Sequence, residues 1–295
     1  MTNEEKTAIQ QRLAAYCQQK GSQRSAANSL DGVSAATISQ ILSSNWELIS
    51  DDMWRTVAAQ TDYDPHQWNI AETQAYQRMT FLLQSAQQDA LTLAVTGAAG
   101  SGKTEAIRNF SRLSPHVYHL CCSEYWNRRN FLEKLLRCMG RDITSTTVSD
   151  MMDDAIATLK RRRSPLIVLD EADKLSDSVL YFFITLYNNL EGHCGMILCA
   201  TDFLNKRLTR SLRQRKKGFE EIYSRIGRRC LPLQAINGED VAAVCRANHI
   251  NDSRTINNII DQSDCDLRTV KRLVWAAQRQ QRTDQRRRVV GVVEA

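Results

Sequence analysis

Two periods of apolar residues run along this chain, and the switch between them divides it. Over residues 4–20, Ile9, Leu13, Ala14 and Tyr16 recur at helical spacing and predict one helix. Ser25–Leu30 continues as a short helical stretch. Asp31-Gly32-Val33-Ser34 makes a tight turn, and Ala35–Leu42 predicts a further helix with Ser34 as its N-cap. Trp46, Trp54 and Trp68 are expected to complete this small helical core, and Asp62–Asn69, with Pro65, reads as the junction to the next domain.

Beyond the junction the pattern changes to short, unbroken apolar runs separated by helical ones. Leu91–Val95, His116–Cys121, Leu166–Leu169 and Gly195–Thr201 read as buried strands. Arg229–Leu233 reads as an edge strand, because Pro232 is tolerated there. Helical patterns fill residues 128–139, 149–161, 176–190 and 203–217 between them. Strands alternating with helices predict an α/β fold, a parallel sheet covered on both faces in three layers. Residues 238–283 are helical throughout and predict a small lid. The chain therefore divides into a small all-α unit at 1–66, an α/β core at 67–235, a helical lid at 236–284 and a basic tail at 285–295, expected to be disordered.

The chemistry concentrates at two strand ends. Gly97-Ala98-Ala99-Gly100-Ser101-Gly102-Lys103-Thr104 comes directly after the first strand and reads G-x-x-x-x-G-K-T, the phosphate-binding P-loop. Its glycines let backbone N–H groups turn inward toward phosphate oxygens. Lys103 is positioned for the β- and γ-phosphates of ATP, and the Thr104 hydroxyl for Mg²⁺. Leu166-Ile167-Val168-Leu169 ends in Asp170-Glu171 about 65 residues later. Asp170 is placed to hold the Mg²⁺ shell and Glu171 to polarise the attacking water. The string Asp170-Glu171-Ala172-Asp173 is not taken as a helicase signature, since the chain shows no second motor domain. Thr201, at the end of a further strand, is placed to orient water or sense the γ-phosphate. Arg225, ahead of Arg228, is a candidate arginine finger acting in a neighbouring subunit. Arg268, opening the last helix, is placed to reach the nucleotide.

Charge changes the picture further. Residues 1–70 carry 5 Lys+Arg and 8 Asp+Glu, a net charge of −3, whereas residues 71–295 carry 34 and 25, a net charge of +9. The basic surface thus belongs to the ATP-binding part, which points to a polyanionic partner. Asn127, Arg128 and Arg129 form one candidate DNA contact. Lys206, Arg207, Arg210 and Arg213, continued by Arg215, Lys216 and Lys217, form another, since like charges so crowded repel unless a polyanion neutralises them. The nine cysteines show no C-x-x-C spacing and fit a reducing cytoplasm. No apolar run is long enough for a membrane span and the N-terminus is polar, so neither a membrane partner nor a secretory signal is expected.

These features resemble the AAA+ ATPases over residues 75–283. The helical unit resembles the helix-turn-helix of phage-repressor-like domains, in which Ser34, Ala35, Thr37 and Gln40 would lie near base edges. A protein-docking role for that unit stays open, because Ala35–Leu42 carries no Lys or Arg. The combination is similar to the target-selecting transposition ATPases of Mu-type transposable phages. That resemblance implies ATP-dependent, nonspecific binding of double-stranded DNA. It also implies a homo-oligomeric filament or ring on DNA, and a transposase that is regulated and in turn stimulates hydrolysis. Within it, Lys103 and Thr104 form the first Walker motif and Asp170 and Glu171 the second. Thr201 falls at the first sensor, Arg225 at the arginine finger and Arg268 at the second sensor. The first sensor is often Asn in AAA+ proteins and is Thr here. Two other readings remain open: a helicase loader, and a transcription regulator whose oligomerisation is gated by ATP.

Overall fold

Leu166–Asp170 and Gly195–Ala200 are buried at every position, as strands covered on both faces must be. Side chains alternate across a strand. Leu166 and Val168 accordingly enter one apolar cluster, and Ile167 and Leu169 the other. Ile197 and Cys199 divide from Met196, Leu198 and Ala200 in the same way. These two clusters are the upper and lower layers of the core.

The computed structural model describes residues 1–61, 63, 68–143 and 147–293. The chain begins with α1 (Asn3–Lys20), α2 (Gln23–Ser29), α3 (Ala35–Leu42) and α4 (Asp51–Gln60), then α5 (Gln74–Gln88). The core comes next as β1 (Thr92–Thr96), α6 (Lys103–Leu113), β2 (Val117–Cys121), α7 (Arg128–Cys138), α8 (Val148–Lys160) and β3 (Leu166–Asp170). It continues through α9 (Asp177–Leu190), β4 (Gly195–Ala200), α10 (Asp202–Arg213), α11 (Phe219–Arg225) and β5 (Cys230–Pro232). The chain closes with α12 (Gly238–Ala247), α13 (Ser253–Ser263) and α14 (Leu267–Val293). All strand pairs are parallel, in the order β2-β3-β4-β1-β5. β5 lies at the edge, where Pro232 removes no ladder donor that a further strand would need. The order brings the C-terminal ends of β1, β4 and β3 side by side, so the P-loop, Thr201 and Asp170-Glu171 share one rim.

The first four helices enclose their own core of Ile9, Leu13, Ile38, Ile41, Trp54 and Val57. Ser34 caps α3 as expected, accepting the Thr37 N–H at 3.0 Å. Trp46 and Trp54 belong here, edge to face with centroids 5.4 Å apart. Trp68 does not. It packs edge to face on Trp275 of α14, 6.3 Å away, in the cluster formed by the last three helices.

The sequence pattern missed α5, whose glutamine- and serine-rich exposed face masks the buried Met79, Leu82, Leu83 and Ala86. It also ran residues 203–217 together as one helix. The structure ends that helix at Arg213. Arg215 and Gly218 both take positive φ, and Gly218 opens α11. The junction expected at Asp62–Asn69 falls largely outside the described residues. The side chains of the basic tail at 285–295 also lie outside them, while the backbone of α14 is helical to Val293.

Candidate nucleotide-binding site

The P-loop connects β1 to α6, and its fold is set by two left-handed glycines, Gly100 (φ +73°) and Gly102 (φ +83°). At Gly100 a side chain would also collide with Asp266, whose Oδ1 would stand 2.3 Å from an added Cβ. Asp266 caps α14 by accepting the Arg268 N–H at 2.7 Å, and the Leu267 N–H donates to Gly100 O at 3.0 Å. The lid is thereby hydrogen-bonded to the phosphate loop itself. Below it, α6 begins at Lys103 and aims the unpaired N–H groups of its first turn at the loop, a ready anion site.

Lys103 Nζ folds back on the loop, donating to Gly97 O at 2.8 Å and Ala98 O at 2.7 Å. Burial is the main reason its pKa lies below the ordinary lysine value. An ammonium so placed exchanges carbonyl partners for phosphate oxygens without leaving its position. Thr104 Oγ1 donates to Asp170 Oδ2 at 2.7 Å, which joins the end of β3 to the start of α6. Asp170 is fully buried. Burial, the largest single influence, pushes its carboxyl up. The His119 imidazole, with Nε2 3.5 Å away, the Thr104 hydroxyl and the Glu171 N–H together outweigh that and hold it below the ordinary value. A hydroxyl beside an ionised carboxylate is a donor set that suits a hard divalent cation.

Glu171 sits in the left-handed region, φ +57° and ψ +38°, a conformation that costs a non-glycine residue roughly 1 kcal/mol. The strain turns its carboxylate out of β3 and into the cleft. There it accepts from Lys174 Nζ at 2.6 Å and lies 3.6 Å from Cys121 Sγ. Thr201 caps α10 and donates its hydroxyl to Asp173 Oδ2 at 2.7 Å, so the end of β4 is tied to the turn after β3.

One cavity of about 530 Å³ gathers these groups. It is lined by P-loop residues Ala99–Thr104, by Asp170, Glu171 and Thr201, and by Arg268 from the lid. Trp68, Ile70, Ala71, Tyr76 and Val244 give it an apolar end. No local sequence pattern signals that end, because its walls come from the segment before α5 and from the lid. His119, Asp173, Lys174 and Asp266 are further site residues that the motifs do not name. Asp173 and Lys174 could have been found, since they stand next to residues already singled out.

Other candidates fall elsewhere. Arg225 is outside the cavity lining. It donates to Asn188 Oδ1 at 2.7 Å and lies over the Tyr187 ring, 5.2 Å from its centroid. Asn127 caps α7, Arg128 lies over Phe182, and Arg129 pairs with Glu133 at 2.7 Å. Lys206 pairs with Asp202 within α10 at 3.4 Å. Arg207 corrects the expectation of a DNA-facing side chain. It is half-buried, donates to Leu175 O at 2.7 Å and shares Asp177 with Lys216. Arg210, Arg213, Arg215 and Lys217 are exposed.

Residues 86–208 match the family model described as an AAA domain. The matched stretch holds β1 to β4, the P-loop, both carboxylates of the acidic strand end and Thr201, on the P-loop AAA+ fold that the sheet displays. The helical unit, Arg225 and Arg268 lie outside it. A comparison with curated proteins found no match. Among the described residues no helix is long and apolar enough to cross a membrane.

Proposed function

We propose that this chain is an AAA+ ATPase that binds double-stranded DNA without sequence preference, assembles on it in the ATP state, and delivers that DNA to a transposase. The assignment of an ATPase rests on the AAA domain and on the cleft. The DNA reading rests on one observation. Thr201, which lines the cleft, caps α10, and that helix ends at the exposed Arg210 and Arg213. A helix of twelve residues, about 18 Å long, thus runs from the cleft to the basic surface. The net charge of the chain beyond residue 70 agrees with a polyanionic partner.

In this reading Lys103 and the N–H groups of α6 bind the phosphates, and Thr104 and Asp170 hold Mg²⁺. The metal supplies charge neutralisation on the transferring phosphoryl group. Glu171 accepts the proton of the attacking water as its oxygen bonds to the γ-phosphorus and the bond to the bridging oxygen breaks. To do so it must leave Lys174. Thr201 and Asp173 report the γ-phosphate to α10. Arg268 contacts the nucleotide from the lid, and Arg225 acts from the neighbouring copy. The helical unit 1–66 is taken as a helix-turn-helix, with the exposed face of α3 available to DNA or protein. The test is filter binding to random-sequence duplex with and without ATP. Tighter binding with ATP is expected, and equal affinity in the two states defeats the proposal.

A further inference from the structure

The apolar end of the nucleotide cavity draws on two stretches far apart in the chain. Ile70 and Ala71, in the segment before α5, form one wall, and Val244 of α12 belongs to the other. One side chain joins them from behind. Asn248 follows α12, is only 2% exposed and does not itself line the cavity. Its Nδ2 donates to Val244 O and to Asn69 O, each at 2.9 Å, and its Oδ1 accepts the Asn69 N–H at 2.9 Å. Both amide hydrogens and the carbonyl oxygen are thus used, which fixes the orientation of the carboxamide. Asn69 returns a bond from its own Nδ2 to Ala247 O at 2.9 Å. Gln278 of α14 donates to Asn248 O at 2.7 Å, so the helix that carries Arg268 meets the same joint.

Capping α12 requires less than this. The bond to Val244 O alone satisfies one of the open carbonyls at that helix end. The two bonds to Asn69 hold a different segment, the backbone immediately before Ile70. A buried carboxamide is costly unless its polar atoms are paired, and here the pairing itself ties one wall to the other. The polar atoms of the joint stay behind the cavity and leave apolar side chains to meet a ligand. ATP held by its phosphates at the P-loop has its base as the part left to fill an apolar end, and a flat ring suits such walls.

We infer that Asn248 is a positioning residue for the nucleobase: its carboxamide sets the spacing between the Ile70–Ala71 wall and the Val244 wall, and with it the affinity of the site for the base but not for the phosphates. This rests on the ATPase reading given above and is independent of any role with DNA or a transposase.

Calorimetric titration of the full chain with ADP and with inorganic pyrophosphate, which has no base, tests it. Asn248→Asp is nearly isosteric but sets an oxygen in place of the amide that donates to two carbonyls. It should weaken ADP binding by about tenfold, the loss expected when a buried hydrogen-bonded joint opens, and leave pyrophosphate binding unchanged. Asn248→Ala deletes the same bonds without burying a charge, and it carries the test if Asn248→Asp does not fold. Where pyrophosphate binds too weakly to titrate, ATP hydrolysis decides: a raised KM with kcat unchanged supports the assignment, and a loss of kcat overturns it. Unchanged ADP affinity overturns it too, as does an equal loss for ADP and pyrophosphate, which marks damage to the fold or the phosphate loop. A wild-type chain that binds neither ligand defeats the ATPase reading itself, and this assignment with it.

Discussion

The nucleotide cleft and the basic end of α10 carry charge in opposite ways. In the cleft three carboxyl groups are each held by a neighbour of fixed geometry: Asp170 by Thr104, Asp173 by Thr201, Asp266 by the first turn of α14. Along and after α10 some of the cations are paired within the chain, Arg207 and Lys216 on Asp177, while Arg210 and Arg213 face solvent. Preorganised charge is the requirement of chemistry, since reorganisation during the reaction raises the barrier. Loosely held surface charge is enough to bind a phosphate backbone without reading its sequence. Proximity in sequence therefore says little about whether a basic residue serves the fold or a partner.

Substitutions separate the two kinds of site. The largest effect is expected from Glu171→Gln, which removes the proposed base alone: turnover should fall by about 10²–10³-fold with nucleotide affinity nearly unchanged. A variant that hydrolyses ATP at the normal rate would show that Glu171 is not the base. Lys103→Ala removes charge-assisted bonds to phosphate and should weaken binding of a fluorescent ATP analogue by about 100-fold. Retained affinity would instead make the loop N–H groups the main phosphate ligands.

Arg207→Ala and the pair Arg210→Ala, Arg213→Ala sharpen the contrast on one helix. Arg207→Ala leaves the half-buried Asp177 with Lys216 alone and should destabilise the core by about 1–2 kcal/mol in urea unfolding. The outer pair should leave stability unchanged and reduce the salt slope of DNA binding by about 2. If Arg207→Ala lowers the slope and spares stability, the roles assigned to these residues are reversed.

The smallest effect is a response to acid. Burial pushes the Asp177 carboxyl up, but hydrogen bonds from Lys216 and Arg207 outweigh it and hold it below its ordinary value. A carboxylate whose folded pKa is depressed contributes stability above its unfolded value, and loses it as pH falls through the folded one. Melting followed as pH falls through and below the ordinary carboxylate range should therefore show a loss that Asp177→Asn removes. An unchanged acid limb in that variant would exclude the ion pair as its source.

Much of the cleft was legible in the sequence because its parts are contiguous. A P-loop is one turn between a strand and a helix, and Asp170-Glu171 is the end of a fully apolar run. The sheet was legible for the same reason, since unbroken apolar runs admit few other readings. What failed involved partners distant along the chain. Trp68 finds Trp275 across the lid, so no local pattern could separate it from Trp46 and Trp54. Arg207 reaches Asp177 on another helix. The break after Arg213 depends on two positive-φ residues, one of them an arginine that gives no turn signal. α5 was hidden because its outer face is glutamine and serine, which local rules assign as readily to a loop.

The backbone bond from Leu267 to Gly100 makes the phosphate loop the fulcrum of a long arm. α14 extends 27 residues from that point, about 40 Å at the usual rise per residue. A tilt of about 5° where it meets the loop would sweep the far end by roughly 3.5 Å over that length. A change too slight to notice around the phosphate loop would thus become, at the molecule's margin, a displacement of several ångströms.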